Sequence, residues 1–132
     1  MKPPRPSDLE LQVLTVLWER GPSSVRAVME AMPDGKERAY TTVLSVMQVM
    51  EKKGLLGHTV QGQAHIYHPL VKRQQVLRPL MKELLRNVFG GSPAVALQSL
   101  LDSGRVSDAE LAEIRQVIQQ ASRKSGPKET EQ

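Results

Sequence analysis

Three helix-patterned segments, two short alternating segments joined at Gln61-Gly62-Gln63, and then further amphipathic helices follow one another along the chain. That order predicts a mainly α protein with a small β-hairpin: a winged helix-turn-helix followed by a C-terminal helical dimerisation region. The bulk numbers agree. A chain of 132 residues suits one small domain with an attached element. Only 3% of residues are aromatic, so Leu, Val and Met must fill the core. The expected layout is a flexible arm over 1–6, a winged-helix domain over 7–70, a dimerisation region over 71–121 and a disordered tail over 122–132.

The proline-rich start, MKPPRP, reads as the arm. Ser7 opens the first helix, with Glu10 three residues on. This is a capping box, in which the hydroxyl accepts from a free amide and the carboxylate reaches back. Leu9, Val13, Val16 and Leu17 line one face and Leu11, Leu14 and Trp18 another, so this helix should be sandwiched at the centre of the domain. Gly21-Pro22 ends it. Ser23 or Ser24 caps a short second helix with a stripe of Val25, Val28, Met29 and Met32, broken by Pro33-Asp34-Gly35. A third helix starts at Ala39 and stops at Gly54 after two lysines, which suit the negative end of a helix.

His58-Thr59-Val60 and Ala64-His65-Ile66-Tyr67 alternate as strands, and Pro69 closes the hairpin. Val76, Leu77, Leu80, Met81, Leu84, Leu85, Val88 and Phe89 then recur at helical spacing. Pro79 among them predicts a kink or a late start. Ser92-Pro93 opens a helix carrying Leu97, Leu100 and Leu101. Ser107 with Glu110 forms a second capping box, opening a last helix with a stripe of Leu111, Ile114, Val117 and Ile118.

Several classes of function drop out. Cysteine is absent, which excludes disulfides, thiolate metal sites and a cysteine nucleophile. It also fits a reducing, cytoplasmic compartment. No apolar run approaches a membrane span, and the N-terminus lacks the apolar core of a secretory signal. No phosphate loop, metal motif or nucleophile elbow is present, and paired carboxylates such as Asp8/Glu10 and Asp108/Glu110 are helix-start signals. No catalytic residue, cofactor or metal is therefore expected. His65 and His68, three apart on one strand, point to opposite faces. The wing histidines read as neutral side chains near phosphates. The net charge of +4 favours an anionic partner. Between residues 36 and 73 lie Lys36, Arg38, Lys52, Lys53, Lys72 and Arg73 against Glu37 and Glu51, so the whole excess can be assigned to that segment.

The third helix carries the functional signal. At about 100° per residue, Thr41, Ser45, Gln48 and Lys52 fall within an arc of roughly 60°. Val43, Val46, Met47 and Met50 centre on the opposite side. Hydroxyls and amides donate and accept, which suits base edges in a DNA major groove. Thr41 and Thr42 sit in the first turn, where free amides can meet a phosphate. Lys52 and Lys53 add attraction blind to sequence. An ordinary amphipathic helix with a mild polar face is the bland alternative, and Leu44 and Val49 flank the polar stripe.

The segments SDLELQVLTVLWERG, SVRAVMEAM, AYTTVLSVMQVMEKKGLL, the wing ending in AHIYHPL, and SDAELAEIRQVI give a chain that resembles the penicillinase-repressor (BlaI/MecI) family of winged-helix repressors, from Ser7 to about Ala121. The resemblance implies a homodimeric transcriptional repressor on a near-palindromic double-stranded DNA operator in a bacterium. Thr41, Thr42, Ser45 and Gln48 would lie against the groove, with Gln61, Gln63 and His65 at the wing. Many relatives carry an arginine where this chain has Val49 and a basic residue where it has Gln63. The family also implies a membrane sensor protease that releases the repressor by cleavage, matching here a point near Gln98-Ser99; the Asn-Phe pair of such relatives is absent. A copper-sensing branch uses cysteines, and this chain has none.

Dimerisation has independent support. Three amphipathic helices with little aromatic mass cannot readily bury their apolar faces alone, and a second copy would cover them. The candidate interface is Leu80, Met81, Leu84, Leu85, Val88, Leu97, Leu100, Leu101, Leu111, Ile114, Val117 and Ile118. The alternative is that these helices fold back onto the winged helix. For the whole protein the rival is a winged-helix module used only for protein–protein assembly, since fold does not settle function.

Overall fold

The capping box at Ser7 forms: the Ser7 N–H donates to Glu10 Oε1 at 2.9 Å, and the Glu10 N–H to Ser7 Oγ at 3.2 Å. It starts helix α1, Asp8–Arg20, which stops at Gly21 with a φ of 86°. The protein is described by a computed structural model covering residues 5–130, with side chains as far as Lys124. Residues 1–4 of the expected arm lie outside the described residues. Pro6, the last residue of the expected arm, is buried.

After the turn, Ser23–Ser24 forms a short strand, β1, that the sequence pattern did not announce. Ser24 also caps α2, Val25–Glu30, by accepting from the Ala27 N–H. Helix α3 runs Tyr40–Lys52. Its end is a Schellman motif: the Gly54 N–H donates to Glu51 O at 3.1 Å and the Leu55 N–H to Met50 O at 2.9 Å. Gly54 adopts a φ of 82°, which a glycine takes without steric cost. Strands β2, Leu56–Gln61, and β3, Ala64–Pro69, pair antiparallel from Leu56↔Pro69 to Gln61↔Ala64. Gly62 and Gln63 form the two-residue turn, with positive φ at Gly62 alone, the type II′ arrangement. The expected two-stranded hairpin is therefore a three-stranded sheet in the order β1-β3-β2, with Ser23↔Tyr67 and Ser24↔Ile66.

One aliphatic core holds these elements. Leu14, Val28, Met47, Met50, Leu55 and Leu56 are each 0% exposed, and Tyr67 from β3 is 1% exposed. Leu11 and Trp18 pack on this core from the second apolar face of α1, as a sandwiched helix requires. The core extends beyond the hairpin. Val76 is buried in it, and Val71 and Leu80 pack against it. The Trp18 Nε1–H donates to Val71 O at 3.0 Å. Helix α4, Arg73–Val88, thus begins as part of the winged-helix unit.

That corrects the expected boundary after residue 70: the chain divides between Met81 and Lys82. Leu80, an expected dimer residue, is half-buried and packs against the winged-helix core. Helix α4 does not start late. It passes through Pro79, whose missing N–H leaves the Gln75 carbonyl without its helical donor. Pro79 is exposed, so water can serve that carbonyl.

The second unit contains the rest of α4, α5 over Pro93–Ser103 and α6 over Asp108–Thr130. Ser92 caps α5 by accepting from the Val95 N–H, and Ser107 caps α6 by accepting from the Glu110 N–H. The backbone of α6 continues to Thr130, where a disordered tail from residue 122 was expected; residues 131–132 lie outside the described residues. No described side chain from Leu77 to Lys124 is buried.

Candidate nucleic-acid interface

The two sides of α3 differ as its periodicity predicts. Val43, Met47 and Met50 are 1% exposed or less, fixing the back of the helix in the core. Thr41, Thr42, Ser45, Gln48 and Lys52 are all exposed. Val49 stands beside them at 45% exposure, while Leu44 and Val46 are half-buried. Aliphatic packing therefore orients the polar stripe, leaving its hydrogen-bonding groups open to a ligand.

The wing stands across a groove from this helix. The groove is open, about 870 Å³ in volume, and lined from α3 by Tyr40, Leu44 and Gln48. Gln61, Gln63 and His65 line it from the wing, and Arg26 from the start of α2. The Arg26 guanidinium lies 5.8 Å from the centroid of the Tyr40 ring. Sequence reasoning passed over Arg26 and Tyr40. Arg26 lies outside the basic segment of residues 36–73, and a tyrosine next to Thr41 has no helical-stripe signature. The one available signal was that Tyr40 opens the helix whose next residues were already singled out.

His65 is exposed on the wing and stacks on His58, with ring centroids 4.6 Å apart and 11° between planes. His58 Nδ1 is 2.6 Å from Glu51 Oε2 at the end of α3. An ionised carboxylate only accepts, so Nδ1 carries the hydrogen. His58 and Tyr67 are paired in register, and their rings are 5.4 Å apart. Burial pushes the Tyr67 hydroxyl pKa up, and the Glu51 charge and Tyr40 add to that. The ladder places His68 opposite Gly57, on the sheet face away from His65. Among the described residues no group of three His, Cys, Asp or Glu side chains is placed to hold a metal ion.

Charge is distributed less simply than the segment count implies. Lys53, expected to face phosphate, donates instead from Nζ to Glu10 Oε2 at 2.9 Å. Glu10 is 5% exposed. Burial alone would raise its pKa. The Lys53 ammonium and the Ser7 N–H outweigh that and hold the carboxyl below its ordinary value. Arg38 donates twice to Asp34, at 3.0 and 2.6 Å. Asp34 also accepts from the Lys36 N–H and from Gln12 Nε2, tying the α2–α3 loop to α1. The Arg38 guanidinium and that N–H keep the Asp34 carboxyl well below the usual carboxylate range. Arg73 lies over the Trp18 ring at 5.5 Å and 3.8 Å from Glu19. Of the six expected cations, three therefore meet carboxylates of their own chain. Lys52 stays exposed beside Gln48.

Fold and site together define a winged helix-turn-helix protein with a polar reading face and a helical extension. Residues 6–120 match the sequence profile of the penicillinase repressor. The chain belongs to the penicillinase repressor family. It is 34% identical over 108 residues to the transcriptional regulator BlaI of Mycobacterium tuberculosis, covering 80% of this chain and 78% of that protein. It is 22% identical over 119 residues to the penicillinase repressor of Bacillus licheniformis, covering 90% of this chain and 93% of that one. A solved structure, monomeric Bacillus licheniformis BlaI in complex with the blaP half-operator, aligns with 56% of this chain and 90% of its own, at 26% identity and a TM-score of 0.48. Among the described residues, no helix is long and apolar enough to cross a membrane.

Proposed function

We propose that this protein is a sequence-specific DNA-binding transcriptional repressor of the bacterial cytoplasm, acting as a homodimer on a near-palindromic operator and by binding, not catalysis. The observation that carries this is the exposure of Thr41, Thr42, Ser45, Gln48 and Lys52 on a helix whose opposite side is sealed in the core. Neutral donors and acceptors on a rigidly backed helix suit base edges, and Lys52 suits phosphate. Family membership supports the same role.

Dimerisation is supported by apolar side chains left uncovered beyond the winged-helix unit. Leu84 is 43% exposed, Val88 64%, Leu100 67%, Val117 64% and Ile118 50%. A second copy of this chain is the proposed cover. Two recognition helices would then be spaced by about one duplex turn or a multiple. Release by a membrane sensor protease would have to act on α5 at Gln98-Ser99, where both side chains are exposed.

The test is equilibrium binding to duplex DNA from upstream of the protein's own gene and to random duplex of equal length. Gln48→Ala should cost about 1–3 kcal/mol on the cognate site and little on random DNA. Lys52→Ala should weaken both alike and flatten the salt dependence by about one unit. Identical behaviour of the two variants would sink the assignment of α3 to a groove. No salt-sensitive binding by the unaltered protein at low micromolar concentration would favour an assembly module.

A further inference from the structure

We infer that Arg26, held over the Tyr40 ring, is a phosphate-binding residue for the DNA strand that runs between α3 and the wing. This rests on the DNA-binding function proposed above. The groove places Gln48 of α3 on one side and Gln61 and Gln63 of the wing on the other. A duplex read by α3 and touched by the wing passes a stretch of sugar-phosphate chain between them. Among the described residues, no acidic side chain lines that groove, and Arg26 is the one Lys or Arg that does.

Arg26 is also available. Arg38 is engaged by Asp34, Lys53 by Glu10, and Arg73 lies close to Glu19. Arg26 is exposed and has no ion pair among the described residues. The Tyr40 ring supports the cation electrostatically and limits its motion. A guanidinium resting on a ring keeps the N–H donors at its edge free for a bidentate contact with phosphate oxygens. Tyr40 is the first residue of α3, so the ring couples the position of the cation to that of the reading helix.

The experiment measures affinity for the upstream duplex and for random duplex across a series of salt concentrations. Arg26→Ala should lose about tenfold in affinity per half-site on both DNAs. Its salt slope should be shallower by about 0.9 per half-site, with the ratio of the two affinities unchanged. Arg26→Lys should keep the salt slope and recover part of the affinity. Tyr40→Leu should weaken binding several-fold in the unaltered protein and add nothing when combined with Arg26→Ala, because the ring acts through the cation. Binding by Arg26→Ala within twofold of the unaltered protein at every salt concentration would overturn the inference and leave the repressor function standing. So would a loss confined to the upstream duplex. Failure of the unaltered protein to bind either duplex would overturn both.

Discussion

A double substitution, Leu84→Asp with Ile118→Asp, is expected to make the protein monomeric and to reduce its affinity for a full operator by about 100- to 1,000-fold. Both side chains are exposed in the single chain, at 43% and 50%, so the change costs the isolated chain little. In a dimer, each carboxylate would lie in a desolvated apolar interface without a partner, which is prohibitive. The loss on DNA follows from linkage. Once one half of a dimer is bound, the other binds at a high effective concentration set by the tether, and a monomer has no such second event. Affinity for an isolated half-site should be unchanged. Sedimentation velocity reads the assembly state, and titration of full and half operators reads the consequence. A variant that remains dimeric would show that the interface lies elsewhere.

Substituting Glu10 by Ala is expected to destabilise the winged-helix unit by about 2 kcal/mol, a drop in Tm of roughly 10 °C for a domain of this size. The Glu10 carboxylate does two jobs. Oε1 accepts from the Ser7 N–H at the start of α1, and Oε2 accepts from Lys53 at the end of α3. Removing it opens the capping box and frees the C-terminus of the reading helix. Lys53 is 36% exposed, so water takes up part of its loss, and the expected effect stays below that of breaking a fully buried pair.

The pH dependence of that contact has a definite sign. The folded pKa of Glu10 lies below the ordinary 4.5. Its contribution to stability is therefore full above about pH 4.5 and is lost as pH falls through the depressed folded value. Glu10→Gln should lower stability near neutrality and flatten its acid dependence in thermal melts. An unchanged acid limb in that variant would falsify the Glu10–Lys53 link.

Much of the winged helix was legible because its signals are local. The Ser7/Glu10 capping box, the Val43–Met47–Met50 stripe and the glycine after Lys53 each reveal an element within eight residues or fewer. The hairpin was legible for the same reason, since alternation and a glycine turn are read within one short window. The exposed side of α3 followed from its buried side by helical geometry alone.

Long-range pairing decided the rest. Strand β1 exists because Ser23 and Ser24 meet Ile66 and Tyr67, and two serines carry no strand signal. Lys53 reads as a helix-end cation until a carboxylate 43 residues earlier is brought to its ammonium. Arg38 reads as part of a basic run until Asp34, itself held by Gln12 from 22 residues away, engages it. The end of the winged-helix unit moved because Val76 and Leu80 have the same periodicity as the apolar residues that follow, and only the core they reach distinguishes them. Composition and periodicity thus determined which elements form and which face of α3 is polar, because those depend on neighbours in sequence. Packing determined which cations remain for a ligand, because Lys53 and Arg73 meet carboxylates far away in the chain only when the core closes.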